Sequence, residues 1–165
     1  MQTKRLTTMA MLAAAAMIVF VIEAQIPAPV PIPGIKLGLA NVITLFALWT
    51  LGRRDALLIL LIRVVVGSLV IGAVMAMAYS LAGGFLCWGV MSLLRPVLSQ
   101  KQVWVMSVFG AIAHNVGQLA VAVVITGTVS ILVYAPVLIL SGIVTGFFTG
   151  KVAQVVLDHV DRLRR

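Results

Sequence analysis

Residues 37–78 read LGLANVITLFALWTLGRRDALLILLIRVVVGSLVIGAVMAMA. Two apolar runs, 37–51 and 54–78, meet at the Arg53, Arg54, Asp55 cluster, and beyond it the one further charge is Arg63. A helix that crosses a bilayer needs about 20 mainly apolar residues, with roughly 17 to 25 tolerated. Each run is therefore a candidate crossing, and the arginines mark a turn at the membrane surface. The first run is short, which predicts a helix that stands upright or starts below the surface. Outward from this pair the pattern recurs at 7–25, 80–98, 103–126 and 131–157. The sequence predicts an all-α polytopic membrane protein of six transmembrane helices, a single integral membrane domain over 1–165.

Composition agrees with this reading. Of the 165 residues 62% are hydrophobic and 10% are charged, and mean hydropathy is +1.20. A soluble domain carries about 25% charged residues, so this chain cannot cover a globule with groups that water accepts. The apolar content runs the whole length, which argues against a soluble enzyme on an anchor. The net charge of +8 would in a soluble protein point to nucleic acid. Here the cations lie beside apolar stretches, where the positive-inside rule and anionic lipid place them, and no nucleic-acid partner is expected.

Ten of the twelve cations set the orientation. With six crossings Lys4, Arg5, Arg53, Arg54, Arg95, Lys101, Lys151, Arg162, Arg164 and Arg165 all fall on one side, which the rule makes cytoplasmic, as are both termini. Lys36 is left outside and Arg63 lies within a helix. Lys4 and Arg5 before a short apolar core also resemble a signal peptide, but Glu23 and Gln25 interrupt the expected cleavage region. The expected location is the cytoplasmic (inner) membrane.

The outer loop, residues 26–36, contains Pro27, Pro29, Pro31 and Pro33 at alternate positions, which favours a stiff extended segment. It is either a lid across the bundle or a rigid spacer. Ala10 and Ala14 stand one turn apart on the first helix, and Gly142, Gly146 and Gly150 recur every four residues on the last. Such seams let helices approach closely, within one chain or against a partner. Cys87, the lone cysteine, has no internal disulfide partner and reads as packing.

Polar side chains at bilayer depth are costly, about 2.5 to 3.5 kcal/mol on insertion scales, and face a cavity or each other. At ~1.5 Å of rise per residue, Arg63 and His114 fall near the middle, with Asn115 and Gln118 slightly further out. Glu23, Gln25, Lys36 and Asn41 lie near the outer ends of the first two helices. In AHNVGQ (113–118) His114 and Gln118 share a face, Asn115 and Gln118 are three apart, and Gly117 removes bulk. This arc is expected to wall a polar cavity, with Arg63 or Asn41 opposite. Arg63 has two readings. It pairs with Glu23 as interhelical glue, or with Lys36 it biases the cavity towards a carboxylate or phosphate.

Enzyme motifs are scarce: the chain has no phosphate loop, no HExxH and no Ser, His and Asp set at a common depth. Asp158 and Asp161 have the spacing of half an aspartate-rich magnesium motif but sit in a charged tail, so no metal, cofactor or catalytic residue is expected.

PGIKLGLANVITLFALWTLG (33–52), Arg63, AHNVGQ (113–118) and YAPVLILSGIVTGFFTG (134–150) together resemble a bacterial membrane family called Gx transporter, whose members are often labelled heptaprenyl diphosphate synthase component I. Polyprenyl diphosphate synthases bind magnesium through two aspartate-rich motifs, and this chain has neither complete. The resemblance therefore implies at most an assisting role in that chemistry. The layout is also similar to the substrate-binding S components of energy-coupling factor transporters, which have six helices, a lid-like first loop and an alanine motif on helix one that meets a transmembrane coupling subunit. The polar side chains at bilayer depth, Glu23, Lys36, Asn41, Arg63, His114, Asn115 and Gln118, are the expected ligand contacts, while the resemblance implies docking at Ala10 and Ala14 and energy from partner ATPases, since nothing in the chain binds nucleotide. Two alternatives stand beside it: a non-catalytic membrane accessory of isoprenoid or quinone metabolism or of a quinone- or flavin-linked electron-transfer chain, and a structural subunit.

Overall fold

A computed structural model describes residues 2–27, 35–72 and 74–163. Among these the fold is all-α, with six α-helices: α1 Gln2–Glu23, α2 Asn41–Thr50, α3 Arg53–Val70, α4 Val74–Leu94, α5 Val103–Thr126 and α6 Ala135–Leu163. Short 3₁₀ turns, Gln100–Gln102 and Val129–Tyr134, lead into α5 and α6. Pro29, Pro31, Pro33, Arg164 and Arg165 lie outside the described residues, so the lid-or-spacer reading of the proline loop does too.

Four helical stretches are long and apolar enough to cross a membrane: Thr3–Glu23, Val74–Leu94, Gln100–Thr126 and Val129–Leu163. Of the other two, α2 is short and α3 carries Arg53, Arg54, Asp55 and Arg63. Leu69, Val70, Met75, Val124, Leu140, Phe148 and Val155 are all more than 60% exposed. An apolar surface of this extent is at equilibrium with lipid and not with water. The chain is a multi-pass membrane protein.

Two expected boundaries are corrected. The 54–78 run is not one helix, because α3 stops at Val70 and α4 starts at Val74. Gly72, at φ +67°, holds a left-handed conformation that a helix cannot contain and that side-chain-bearing residues resist. The following helix accordingly begins before residue 80 and ends at Leu94 rather than 98. The second helix begins at Asn41 and not at 37, because Gly38 at φ +81° turns the chain immediately before it. α1 and α6 also extend into their charged flanks, from residue 2 and to residue 163, where helical backbone hydrogen bonding continues past the apolar segment.

α5 packs between α4 and α6, while α1 lies on α3 and α2. α2 is enclosed, touching α1, α3, α4, α5 and α6, and its Leu45, Ala47 and Leu48 are fully buried. Glycine sets the close seams. A Cβ on Gly146 would come within 2.7 Å of the Val108 Cα, and one on Gly150 within 2.6 Å of the Trp104 Cα. The α6 glycine stripe is thus an internal seam against α5. A Cβ on Gly117 would meet the Ala82 carbonyl oxygen at 2.8 Å, bringing α4 equally near. Ala10 and Ala14, by contrast, are exposed on α1 while Ala13 and Ala16 are buried.

Side-chain links gather the basic helix ends at one end of the bundle. Arg5 forms a two-point ion pair with Asp55 at 2.6 and 2.7 Å, and the Trp88 indole donates to the Arg53 carbonyl at 3.0 Å. Arg95 donates to the Trp49 carbonyl at 3.1 Å, and Gln100 donates to Asp158 and Asp161 at 3.2 and 2.8 Å. The opposite end holds the 24–40 connection and the turns after α3 and α5.

Candidate functional site

Near that opposite end, α1, the segment leading into α2, α3, α4 and α5 converge on a small cavity lined by Phe20, Glu23, Lys36, Gly38, Arg63, Ser80 and His114. It offers about 10 Å³ to the centre of a water-sized sphere, room for about one water molecule. Glu23, Arg63 and His114 are each at least 96% buried, so every ion and ring nitrogen here must be satisfied inside the protein or by something it binds.

Glu23 ends α1, and its carboxylate reaches the start of α2. One oxygen accepts from the Gly38 and Leu39 amides, the latter at 3.1 Å, and the other accepts from the Ala40 amide at 3.3 Å. These donors precede the first turn of α2, where helix N–H groups lack partners and the dipole attracts negative charge. The Gly38 turn aims them inward. Glu23 therefore caps α2. The ion pair between Glu23 and Arg63, one of the two readings of Arg63, is not made, because the carboxylate is already occupied by backbone amides. Arg63 instead donates from Nη2 to the Asn41 Oδ1 at 3.0 Å.

The AHNVGQ segment splits between two faces. His114 and Gln118, one turn apart, bond to each other at 2.8 Å between Nε2 atoms, and Gln118 Oε1 accepts from the Lys36 backbone amide at 3.1 Å. Because that oxygen is engaged as acceptor, the Gln118 amide nitrogen is the donor to His114, whose proton then sits on Nδ1. Nδ1 abuts Gly83 of α4, where a Cβ would lie only 2.8 Å away. Asn115 points elsewhere, donating to the Leu138 carbonyl of α6 at 2.6 Å. Its place is on the α5–α6 seam beside Gly142 and not on the cavity wall, since adjacent residues on a helix diverge by about 100°.

Lys36 lies in the connecting segment outside the spanning helices, with its ammonium 3.5 Å from the Phe20 ring centroid, a cation–π contact. Burial pushes this ammonium below its ordinary value, Glu23 opposes that shift, and Arg63 adds to it. Among the described residues, Lys36 Nζ, Arg63 Nε and Asn41 Nδ2 are buried without a hydrogen-bond partner.

Four participants were not singled out from sequence. Phe20 lies three residues before Glu23 on the same face and could have been found by that spacing. Gly38 sits inside PGIKLGLAN, whereas Ser80 and Gly83, in an apolar helix, carry no signal beyond being small. Asp158 and Asp161 share the Gln100 side chain at the far end of the bundle, and among the described residues no group of three potential ligands is placed to hold a metal. Cys87 is buried against Met91 and Gly110.

A bundle of lipid-facing helices around a buried polar cluster defines a multi-pass membrane protein with an internal site. The sequence model of the family described as Heptaprenyl diphosphate synthase component I matches residues 12–156, and the chain belongs to that family. No curated protein and no solved structure matches it.

Proposed function

We propose that the protein is the substrate-binding subunit of a small-molecule uptake system in the cytoplasmic membrane, similar in role to an S component and without catalysis of its own. The observation that carries this reading is the cavity, where buried donors stand without protein partners at the convergence of five elements. Purely structural glue would pair its polar groups, because a buried unsatisfied donor costs about 1 to 3 kcal/mol. In this reading all six helices cross, the basic end faces the cytoplasm, and the site lies towards the outer face. Arg63 stands ~15 Å above Arg53 by helix rise, in keeping with a site well away from the basic end.

Energy comes from partner ATPases through a transmembrane coupling subunit that packs on Ala10 and Ala14. Their exposure supports this, since small residues on a lipid-facing helix let another helix approach. The test is affinity purification of the tagged chain from its own host membrane. An ATPase and a polytopic subunit should accompany it, and Ala14→Trp should release both while the chain melts as before. A chain that always purifies alone would sink the reading.

The family's description favours a second reading: a membrane accessory of isoprenoid or quinone metabolism, or of a quinone- or flavin-linked electron-transfer chain. Copurification of a prenyl-chain compound, with no ATPase, would select it.

A further inference from the structure

Apart from the Ser80 hydroxyl, which can donate or accept, the spare hydrogen-bonding capacity around the cavity is of one kind. Glu23 spends both oxygens on the amides of residues 38, 39 and 40. Asn41 Oδ1 is taken by Arg63, which leaves its Nδ2 as the free end. Gln118 is used at both ends, and the accepting nitrogen of His114 is occupied by it. What remains unpartnered around the cavity among the described residues is Lys36 Nζ, Arg63 Nε, Asn41 Nδ2 and the protonated His114 Nδ1, all donors. The formal charge of the lining is +1, from Lys36 and Arg63 against Glu23, with Phe20, Gly38, Ser80 and neutral His114 contributing none.

We infer that the cavity takes the carboxylate of a small monoanionic substrate, held by Arg63 and Lys36 with Asn41 behind them, an inference that rests on the substrate-binding reading. A neutral ligand would leave the net charge buried and uncompensated, which low-dielectric surroundings penalise heavily. A phosphate dianion would overshoot it by one charge. A carboxylate supplies acceptors only, presents a planar edge that matches a guanidinium, and brings the lining to neutrality. Glu23 acts here as a positioning residue: by capping α2 it fixes Asn41 and the Gly38 turn, and it lowers the charge that a ligand must balance from +2 to +1.

The test uses the full chain purified in mild detergent, with melting followed by tryptophan fluorescence at constant ionic strength. The probes are propionate, propionamide, inorganic phosphate and an organic extract of the purified protein itself. Propionate at several times its dissociation constant should raise the melting temperature by about 2 to 4 °C, and the other two defined probes should not. Lys36→Met should abolish the propionate shift and Lys36→Arg should retain it. Folding of these variants is protected because the bond from residue 36 to Gln118 uses the backbone amide. Equal shifts with propionamide, a larger shift with phosphate, or a propionate shift unchanged in Lys36→Met would each overturn the inference. If the defined probes are inert while the extract stabilises the protein, the carboxylate assignment falls and substrate binding stands. If the extract is inert as well, both fall.

Discussion

Replacing Glu23 with alanine removes one side chain and disconnects three backbone donors at once. The amides of Gly38, Leu39 and Ala40 lose their acceptor, and Ala40 is fully buried, so water cannot substitute for it. Hydrogen bonds to a charged acceptor contribute about 1.5 to 3 kcal/mol each, and a carboxylate at a partly buried helix N-terminus contributes up to ~2 kcal/mol through the dipole. These terms overlap, and leaving three converging amides without their acceptor costs about 3 to 5 kcal/mol in total. For a chain of this size that corresponds to a fall in melting temperature of about 10 °C. Glu23→Gln keeps one accepting oxygen but no charge, and should lose roughly half as much. The double variant Glu23→Ala with Arg63→Met separates capping from ion pairing. If Glu23 served Arg63, the second change would restore stability; because it serves α2, the double variant should melt no higher than Glu23→Ala. The assay is thermal unfolding in detergent with all variants at equal lipid content. A single-variant loss below ~1 kcal/mol, or recovery in the double variant, would refute the capping role.

Other expectations follow from the same geometry. Gly38→Ala should destabilise by about 1 to 3 kcal/mol in the same assay, because φ is +81° and the new Cβ would lie 2.8 Å from Asn41 Nδ2 and 2.9 Å from the His114 ring. Gly146→Leu should unfold the protein or prevent its accumulation, since even a Cβ there meets the α5 backbone, whereas Ala14→Leu on the exposed face should melt within ~0.5 kcal/mol of the parent. The effect of pH should have opposite signs with and without ligand. Lys36, faced by Glu23 from α1, Arg63 from α3 and His114 from α5, is held below its ordinary value of 10.5, so the unfolded chain binds more protons there. The stability of the empty protein should therefore rise as pH climbs from the folded value of Lys36 towards 10.5, while carboxylate affinity falls over the same window; melting and equilibrium titration measure the two. In intact cells a cysteine at position 101 should be shielded from impermeant thiol reagents, and reaction there from outside would overturn the proposed orientation.

Six apolar segments were legible because each, read alone, approaches the length a bilayer demands, and α5 runs over the residues its pattern indicates, Val103–Thr126. The break between α3 and α4 was not, since residues 64–78 hold no charged punctuation and glycines such as Gly67 and Gly72 are ordinary in a membrane helix. The four-residue spacing of His114 and Gln118 carries real information about a shared face, and the two do bond. Asn115 was assigned to that arc on a three-residue spacing to Gln118, which overlooked its direct adjacency to His114 and hence the turn towards α6. The destination of Glu23 was illegible for a different reason: its partners are backbone amides, which every residue except proline possesses, and only the left-handed turn at Gly38 makes three of them converge. Sequence charge therefore left open an Arg63 pair that the backbone had pre-empted.

Native mass spectrometry of the gently purified protein tests the central claim most directly. The account predicts a single small adduct at one per chain, present in the parent and in Ala14→Trp and absent from Lys36→Met, with a fragmentation pattern that includes loss of a carboxyl group. A chain that carries only membrane lipid, identically in the parent and in Lys36→Met, would contradict it.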